Sequence, residues 1–183
     1  MFDSLELSLP IPPDAERAEV ECAKNREPAA WAAWYDRYFP ALYRYALART
    51  ANREEAEDIA SQVFVRALES IDRYRYEGRP VLAWLYRICH NLVADRARRD
   101  KRRPYIPLES IDAKGTADEQ LIARTELAEA LNRLNREQRE VVVLRYLVAM
   151  NTREIAAAMG KSEAAVYSLQ VRAVSNLRKA LKL

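Results

Sequence analysis

The sequence predicts an all-α protein, and three observations carry that prediction. Only three glycines occur in 183 residues, Gly78, Gly115 and Gly160, and each stands at a break between helix-like segments. No Asn-Gly or Asp-Gly pair is present, although the hairpin turns of sheets commonly depend on such pairs. No proline follows Pro107, so the last 76 residues can form helices without interruption.

Capping residues mark where the helices begin. Asn-x-x-Glu/Gln boxes start at Asn52, Asn135 and Asn151, and each Asn can accept from a first-turn amide. Ser162 follows Gly160 as a fourth start, and Pro80 occupies the first turn of a fifth helix. These signals predict helices near residues 14–25, 29–50, 53–73, 81–100, 117–133, 136–149, 152–159 and 163–181. Pro40 is expected to bend or divide the second of them.

The chain divides into two small helical bundles joined by a flexible linker. Residues 104–116 contain two prolines and a glycine and show no helical periodicity, so they form the linker. The charge changes sign across it: residues 96–103 hold six basic side chains against Asp100, and acids outnumber Lys114 beyond it. We therefore expect an N-terminal extension at 1–26, one bundle at 27–103 and a second at 117–183.

Composition excludes secreted and membrane-spanning classes. The longest stretches without a charged side chain are eight residues, far short of the roughly 20 that a membrane helix needs. Asp3 and Glu6 near the start argue against a secretory signal. Cys22 and Cys89 have no CxxC neighbour, so neither a zinc ribbon nor a disulfide scaffold is expected. A cytoplasmic protein is predicted.

No catalytic, metal or cofactor site can be assembled from the sequence. His90 is the one histidine, and no Ser/His/Asp set, Cys/His pair or phosphate-binding glycine loop is present. The acids at residues 54–58 could hold a metal only with Glu-x-x-His partners, which are missing. Acids in a first helical turn are in any case favoured by the helix dipole. We predict a protein that is not an enzyme.

The last two helices have the spacing of a helix-turn-helix. Ala156 permits a close approach, Gly160 can adopt the left-handed conformation, and Val166 fills the angle between the helices. The predicted buried stripe comprises Val166, Leu169, Ala173, Leu177, Ala180 and Leu181. The opposite face presents Tyr167, Ser168, Val171, Arg172 and Ser175. A plain three-helix bundle with a solvated basic face is the alternative interpretation.

On the functional interpretation this face enters a DNA major groove. Arg172 could bond guanine with two hydrogen bonds, and Tyr167 and Val171 could contact thymine methyl groups. Ser168 could reach a base edge or a phosphate. Arg153 and Lys161 would suit phosphates.

A second candidate surface combines aromatic and basic residues around the start of the helix near 81–100. Its members are Tyr74, Tyr76, Trp84, Tyr86, Arg73, Arg75, Arg79, Arg87 and the basic run at 96–103. Such interleaving suits single-stranded or opened DNA, because bases stack on the rings and cations hold the backbone. In the alternative interpretation Trp84 and Ile88 are core residues, and Tyr86 and Arg87 lie on the surface.

Three segments resemble bacterial sigma factors of the extracytoplasmic-function type. DRYRYEGRPVLAWLYRICHNLVADRARR is similar to the segment that binds the promoter −10 element. REEAEDIASQVFVRAL is similar to the helix that contacts core RNA polymerase. The segments ALNRLNREQREVVVLRYL, TREIAAAMG and SEAAVYSLQVRAVSNL are similar to the −35-reading domain. The resemblance covers about residues 27–181 and implies a sigma2-like bundle followed by a sigma4-like helix-turn-helix.

The resemblance implies a role for each matching residue. Polymerase-contacting residues would be Glu57, Asp58, Gln62 and Arg66. In the −10 region, a flipped base would be captured by Asn91 and by the loop at residues 74–81, which contains Tyr74, Tyr76 and Arg79. Trp84 and Tyr86 would support this pocket. Arg87 lies on the same surface, and Arg96, Arg98 and Arg99 would hold the adjacent DNA backbone. The −35 element would be read by Tyr167, Ser168, Val171 and Arg172.

The chain also departs from the family pattern. Ser61-Gln62 stands where Gln followed by an acid is usual, and Tyr167 and Leu169 occupy positions that are often basic. The −35 preference therefore cannot be carried over from other members.

The sequence thus predicts a subunit that directs RNA polymerase to promoters through their −35 and −10 elements and assists melting. Its expected partners are core RNA polymerase, promoter DNA and an anti-sigma factor. A free-standing helix-turn-helix regulator and a protein-binding helical adaptor remain as alternatives. Tight DNA binding without polymerase would favour the regulator.

Overall fold

The computed structural model describes residues 12–50, 52–100, 126–127 and 129–181, which form helices joined by short connections. The α-helices of this described part are α1 (Pro13–Lys24), α2 (Pro28–Thr50), α3 (Arg53–Ser70), α4 (Val81–Asp100), α5 (Arg136–Val142), α6 (Thr152–Met159) and α7 (Glu163–Ala180). A 3₁₀ turn, Ile71–Arg73, follows α3, and a π-helical turn, Val143–Leu147, continues α5. Residues 126–127 and 129–133 are also helical, and no strand occurs among the described residues. The all-α prediction is confirmed.

Several sequence predictions lie wholly or partly outside the described residues. They are residues 1–11 of the expected N-terminal extension, residues 101–103 of the basic run, the linker at 104–116 and most of the helix expected at 117–133. Within the described residues, no helix combines the length and apolarity that crossing a bilayer demands.

The predicted caps are present at four helix starts. Asn52, Asn135 and Asn151 accept hydrogen bonds from the amides three residues later, at 3.0, 2.8 and 2.9 Å. At α6 the cap is reciprocal, because Glu154 Oε2 accepts from the Asn151 amide at 2.7 Å. Ser162 Oγ accepts from the Ala165 amide at 3.2 Å and starts α7. Local side-chain chemistry therefore sets these boundaries.

The N-terminal bundle is built around α2. Its buried face includes Trp34, Tyr38, Leu42 and Tyr45, which pack against α1, α3 and α4. The helix is continuous through Pro40, so the predicted division does not occur. Proline lacks the amide that would donate to the preceding turn, and packing on three neighbouring helices supports the helix there.

The C-terminal bundle contains the predicted helix-turn-helix, α6 and α7. Gly160 has φ of 65° and ends α6, where the Lys161 amide donates to the Ala156 carbonyl at 2.9 Å. Val166 is fully buried in the angle between the helices, and Leu169 and Ala173 continue the buried stripe. This arrangement holds the opposite face of α7 toward solvent.

The two bundles pack against each other. Helix α4 contacts α6, α2 contacts the π-helical turn, and the buried residues of both bundles form one cluster. Polar groups of the N-terminal bundle also reach across. Arg44 donates to the carbonyls of Leu147 and Val148, at 2.7 and 3.3 Å. The described chain is therefore a closed arrangement of the two bundles.

Candidate nucleic-acid interface

The outer face of α7 carries the residues expected to read DNA. Tyr167 is 66% exposed and Val171 is 53% exposed, and Ser168 and Arg172 are exposed beside them. Arg172 Nε donates to the Ser168 carbonyl at 3.1 Å, so its guanidinium lies along the helix surface. Two large apolar side chains are therefore exposed beside a cation on one face of the helix. Side chains of these types can contact base edges in a DNA groove.

Arg153 and Lys161, expected to hold phosphates, are engaged within the protein. Arg153 donates to the Gly78 carbonyl of the other bundle at 2.7 Å. Lys161 pairs with Glu137 at 2.7 Å. Arg153 lies in the first turn of α6 and Lys161 just after its end, and to bind phosphates both would have to exchange these partners.

The loop at residues 74–80 and the start of α4 bring together most of the aromatic and basic residues of the second surface. Tyr74 stacks on Trp84 with ring centroids 4.2 Å apart. Gly78 adopts φ of 73°, which a side chain would disfavour. A cavity of about 220 Å³ lies beside this stack and is lined by Tyr74, Arg75, Glu77, Arg79, Pro80, Ala83, Trp84, Arg87 and Ala157. The loop therefore encloses a space bordered by rings and cations.

A buried carboxylate from α1 supports this loop. Glu16 is 4% exposed, and its Oε1 accepts from the Val81 amide at 2.8 Å. Its Oε2 accepts from the Tyr76 hydroxyl at 2.9 Å. Arg17 lies over the Tyr76 ring, 5.8 Å from its centroid. Sequence reasoning assigned residues 1–26 no role, and no local pattern marks Glu16 as buried, because its partners lie 60 and 65 residues away.

Asn91 and Arg87 lie on the face of α4 that meets the C-terminal bundle. Asn91 is exposed and borders a cavity of about 420 Å³ between α4 and helices α5 and α6. Arg87 Nη2 donates to the Ala157 carbonyl at 3.0 Å. Asn91 therefore borders an open cavity, although the C-terminal bundle covers part of this face of α4.

Tyr86 is placed in the contact between the bundles. It is buried, packs edge-on against Tyr45 and donates to Glu140 of α5. Glu140 also pairs with Arg49, and Tyr45 is hydrogen-bonded to His90 Nδ1 at 2.8 Å. Burial, with Tyr45 and Glu140 close by, raises the pKa of Tyr86 far above its ordinary value. Neither the α-helical periodicity nor any motif marks Glu140 as a partner of α4.

The remaining arginines of this surface lie further along α4. Arg96 Nε pairs with Glu55 at 2.9 Å, while Arg98 pairs with Asp95 of its own helix. Arg98 and Arg99 are exposed, and Arg79 is exposed in the loop. Together they extend positive charge from the loop toward the C-terminal end of α4.

The acidic face of α3 is exposed and carries apolar groups that sequence reasoning missed. Glu57, Asp58, Gln62 and Arg66, the residues expected to contact polymerase, are all exposed. Val65 and Leu68 are exposed on the same helix, and Tyr35 of α2 stands nearby with its ring 4.9 Å from that of Phe64. No group of acids, cysteines or histidine that could hold a metal occurs among the described residues. The face resembles a protein-docking surface, polar at its edge and apolar within.

Comparisons with known proteins identify two matching regions of the chain. The family model for Sigma-70 region 2 matches residues 34–103, and that for Sigma-70 region 4 matches residues 124–177.

Relatives match over most of the chain. The ECF RNA polymerase sigma factor BldN of Streptomyces coelicolor is 38% identical over 169 residues, which span 88% of this chain and 64% of that relative. The ECF RNA polymerase sigma factor SigL of Mycobacterium tuberculosis is 31% identical over 172 residues, 90% of this chain and 96% of that relative. The solved structure of CnrH in complex with the cytosolic domain of CnrY superposes with a TM-score of 0.65 at 25% identity. It covers 91% of this chain and 97% of CnrH.

Proposed function

Because the chain belongs to the extracytoplasmic-function (ECF) family of RNA polymerase sigma factors, we propose that it directs core RNA polymerase to promoters. The C-terminal bundle would read the −35 element as duplex, and the N-terminal bundle would bind the −10 element as an opened strand. In this role the chain acts as a specificity subunit of the polymerase and not as an enzyme, and the role calls for no cofactor. We place it in the cytoplasm, where the polymerase acts.

The observation that best supports this proposal is the cavity beside the 74–80 loop. Its walls combine the stacked Tyr74 and Trp84 with the cations Arg79 and Arg87, at about 220 Å³. Extruding a base costs a few kcal/mol of lost stacking and pairing. Stacking on a protein ring returns about 1–3 kcal/mol per base, and cations hold the backbone. A site that binds only the opened strand therefore favours melting.

The −35 element would be read by the outer face of α7. Arg172 can bond guanine through two hydrogen bonds, and Tyr167 and Val171 can contact thymine methyl groups. Arg153, near the start of α6, and Lys161, just after its end, would hold phosphates. These roles are consistent with the exposure of the face and with the match to Sigma-70 region 4.

Core polymerase would dock on the exposed face of α3. Glu57, Asp58, Gln62 and Arg66 would supply polar contacts at its edge, and Val65 and Leu68 an apolar centre. A few residues buried near the centre of an interface commonly carry most of its binding energy.

DNA binding would require the closed arrangement to open. Arg87 and Arg153, one from each reading surface, each donate to a backbone carbonyl of the opposite bundle. Each of these hydrogen bonds ties a proposed DNA-binding surface to the opposite bundle, and separating the bundles would release both guanidinium groups toward DNA. Polymerase would fix the separation of the two bundles and so raise the effective concentration of each reader on the promoter.

We also propose that an anti-sigma partner regulates the chain. The similar protein CnrH was solved as a complex with the cytosolic domain of CnrY. A partner that covers the polymerase-docking face of α3 would block polymerase binding, and a partner that holds the bundles closed would block DNA binding.

The decisive experiment combines the purified chain with core RNA polymerase of its source organism. We expect co-elution on size exclusion, and run-off transcription from a subset of a randomised promoter pool. Absence of both outcomes would overturn the proposal. Tight binding of the isolated chain to a symmetric DNA site would instead support a free-standing regulator, and polymerase binding without template selection would support an adaptor.

Within that assay Asn91→Ala tests the −10 role. Because Asn91 is assigned to the captured base, its loss should reduce transcription from duplex promoters more than from templates opened beforehand. Equal losses on both templates would count against this assignment.

A further inference from the structure

The carboxylate of Glu16, on α1, anchors the loop at residues 74–80 that borders the cavity. One oxygen accepts from the Val81 amide at 2.8 Å and the other from the Tyr76 hydroxyl at 2.9 Å. Val81 is the first residue of α4 and follows the loop, whereas Tyr76 lies in its middle. A single side chain on α1 therefore fixes two points of the loop. Glu16 lies outside the residues matched by the Sigma-70 region 2 model.

Elementary electrostatics make this contact strong. The amides of the first helical turn have no partner within the helix, and the helix dipole places partial positive charge there. A carboxylate that accepts from such an amide is stabilised by both effects, and hydrogen bonds to a charged group are about twice as strong as neutral ones. The low exposure of Glu16 keeps water from competing for either oxygen.

The contact matters most when the bundles are apart. Among the described residues, hydrogen bonds to residues 75–79 come from two side chains, Arg153 on Gly78 and Glu16 on Tyr76. Arg153 belongs to the C-terminal bundle and leaves the loop when the bundles separate. Glu16 belongs to the same bundle as the loop and stays. In the DNA-binding state its hydrogen bond to the loop remains, together with the contacts of Arg17 with the Tyr76 ring and of Trp84 with the Tyr74 ring.

We propose that Glu16 is a positioning residue that shapes the loop before DNA arrives and so sets how sharply the captured −10 base is discriminated. This inference rests on the proposed function. A loop that is already in its binding conformation loses less entropy on capture, and a fixed wall rejects bases that do not fit. Glu16 does not touch DNA itself; it acts through Tyr76 and the start of α4.

The test measures base selection by the complete holoenzyme. A promoter is first selected from a randomised pool with the wild-type chain and core polymerase. Single-stranded −10 oligonucleotides derived from it, with each position randomised in turn, then report the preference at each base. The variants are Glu16→Ala, Glu16→Gln and, as a matched control, Glu19→Gln, another α1 carboxylate, which accepts from Trp34 and Arg37 at 2.8–3.2 Å.

Glu16→Ala should lower the preference at the captured base by up to about tenfold, the factor reached when the whole free energy of one lost helix cap acts on that base. Preferences at other positions, the −35 preference and affinity for core polymerase should stay unchanged. Glu16→Gln should restore most of the preference, because its amide can accept from Val81 and donate to Tyr76. Glu19→Gln should leave base preference as in the wild type.

Three results would overturn the inference. One is an unchanged preference in Glu16→Ala, and another is an equal weakening of binding to every sequence, which would indicate a purely structural role. If Glu16→Ala does not fold, the double variant Glu16→Gln, Tyr76→Phe replaces it, because this variant keeps only the contact with Val81. An undiminished base preference in the double variant is the third result that would overturn the inference. A wild-type holoenzyme without base preference would instead overturn the proposed function.

Discussion

Ala149 adopts a backbone conformation that favours glycine. It has φ of 63° at the end of the π-helical turn, where the Met150 amide donates to the Leu144 carbonyl at 2.9 Å. In the left-handed region a Cβ crowds the carbonyl oxygen that follows it, at a cost of roughly 1–2 kcal/mol. Gly160 ends α6 with almost the same φ of 65°. The chain therefore carries backbone strain at Ala149, whereas Gly160 avoids this strain at the end of α6.

Ala149→Gly should raise the free energy of unfolding by about 1 kcal/mol, because it removes this strain. Gly160→Ala is the matched opposite change and should lower it by a similar amount. A Cβ at Gly160 would meet no atom within 4 Å, so only backbone strain contributes. Chemical denaturation of both variants is the measurement, and a loss of stability in Ala149→Gly would contradict the argument.

His90 is half-buried among groups from three helices. Tyr45 and Arg49 approach it from α2, Tyr86 from its own helix, and Glu140 and Arg136 from α5. Burial lowers its pKa, the charges of Arg49 and Arg136 lower it further, and Glu140 opposes them. The folded protein therefore favours the neutral ring, which can accept from the Tyr45 hydroxyl.

The lowered pKa predicts a loss of stability in acid. The unfolded chain takes up the proton first, near pH 6.5, so stability is fully present above that pH and declines as the pH falls toward the folded value. His90→Gln should flatten this part of the stability curve, measured by denaturant unfolding between pH 5 and pH 8. Since His90 is the one histidine of the chain, curves with the same slope in both proteins would contradict the prediction.

At the scale of single elements, α7 shows how far local sequence rules reach. Its Ser162 cap, the Gly160 turn and the burial of Val166 agree with expectation because each depends on neighbours within a few residues. The π-helical turn after α5 was not expected, since the prediction ran one helix from 136 to 149. That turn contacts α2, so tertiary packing overrides the local pattern there.

Arg172→Ala should weaken binding to the selected −35 element by about 1–3 kcal/mol and relax preference at one base pair. Arg178→Ala is the control, because Arg178 is exposed on the same helix near its C-terminal end. The measurement is holoenzyme affinity for selected and scrambled −35 duplexes at fixed salt. If Arg172→Ala weakens both duplexes equally, Arg172 contacts phosphate rather than a base.

Across the whole molecule, Glu140 is the main polar link between the bundles. It pairs with Arg49 and accepts from the Tyr86 hydroxyl, and both carboxylate and guanidinium are at most 14% exposed. Removing one partner of a buried ion pair leaves the other charge without compensation, at a cost of about 3–5 kcal/mol. The closed arrangement therefore depends strongly on this single carboxylate.

Glu140→Ala should separate the bundles, seen as a larger radius of gyration in small-angle X-ray scattering. Glu137→Ala on the same helix is the control, since Glu137 pairs with Lys161 at the surface, where a pair contributes at most about 1 kcal/mol. Replacing all three groups together, as Arg49→Met and Tyr86→Phe with Glu140→Leu, should restore closure, because no buried charge or hydroxyl then lacks a partner. A scattering curve of Glu140→Ala identical to that of the wild type would contradict the assignment.

What could be predicted from the sequence differs between fold and site. Helix starts and the exposed face of α7 follow from spacing within one or two turns, so they were predicted. The positions of Glu16 and Glu140 depend on partners 54 to 91 residues away, brought close only by packing. Tyr86 was assigned to the DNA surface because it lies beside Trp84 and Arg87, yet its ring faces Tyr45 in the closed arrangement. The assigned contacts with DNA and polymerase stay predictions.

The anchoring of α1 bears on how the protein can be shortened for study. The Sigma-70 region 2 match begins at Trp34, and a fragment trimmed to that residue would lose Glu16, Val20 and Ala23. Trp34 would lose the Glu19 carboxylate that accepts from its indole, and its buried ring would meet water. A recombinant fragment intended for crystallisation or labelling should therefore retain Pro13 and everything after it in this bundle.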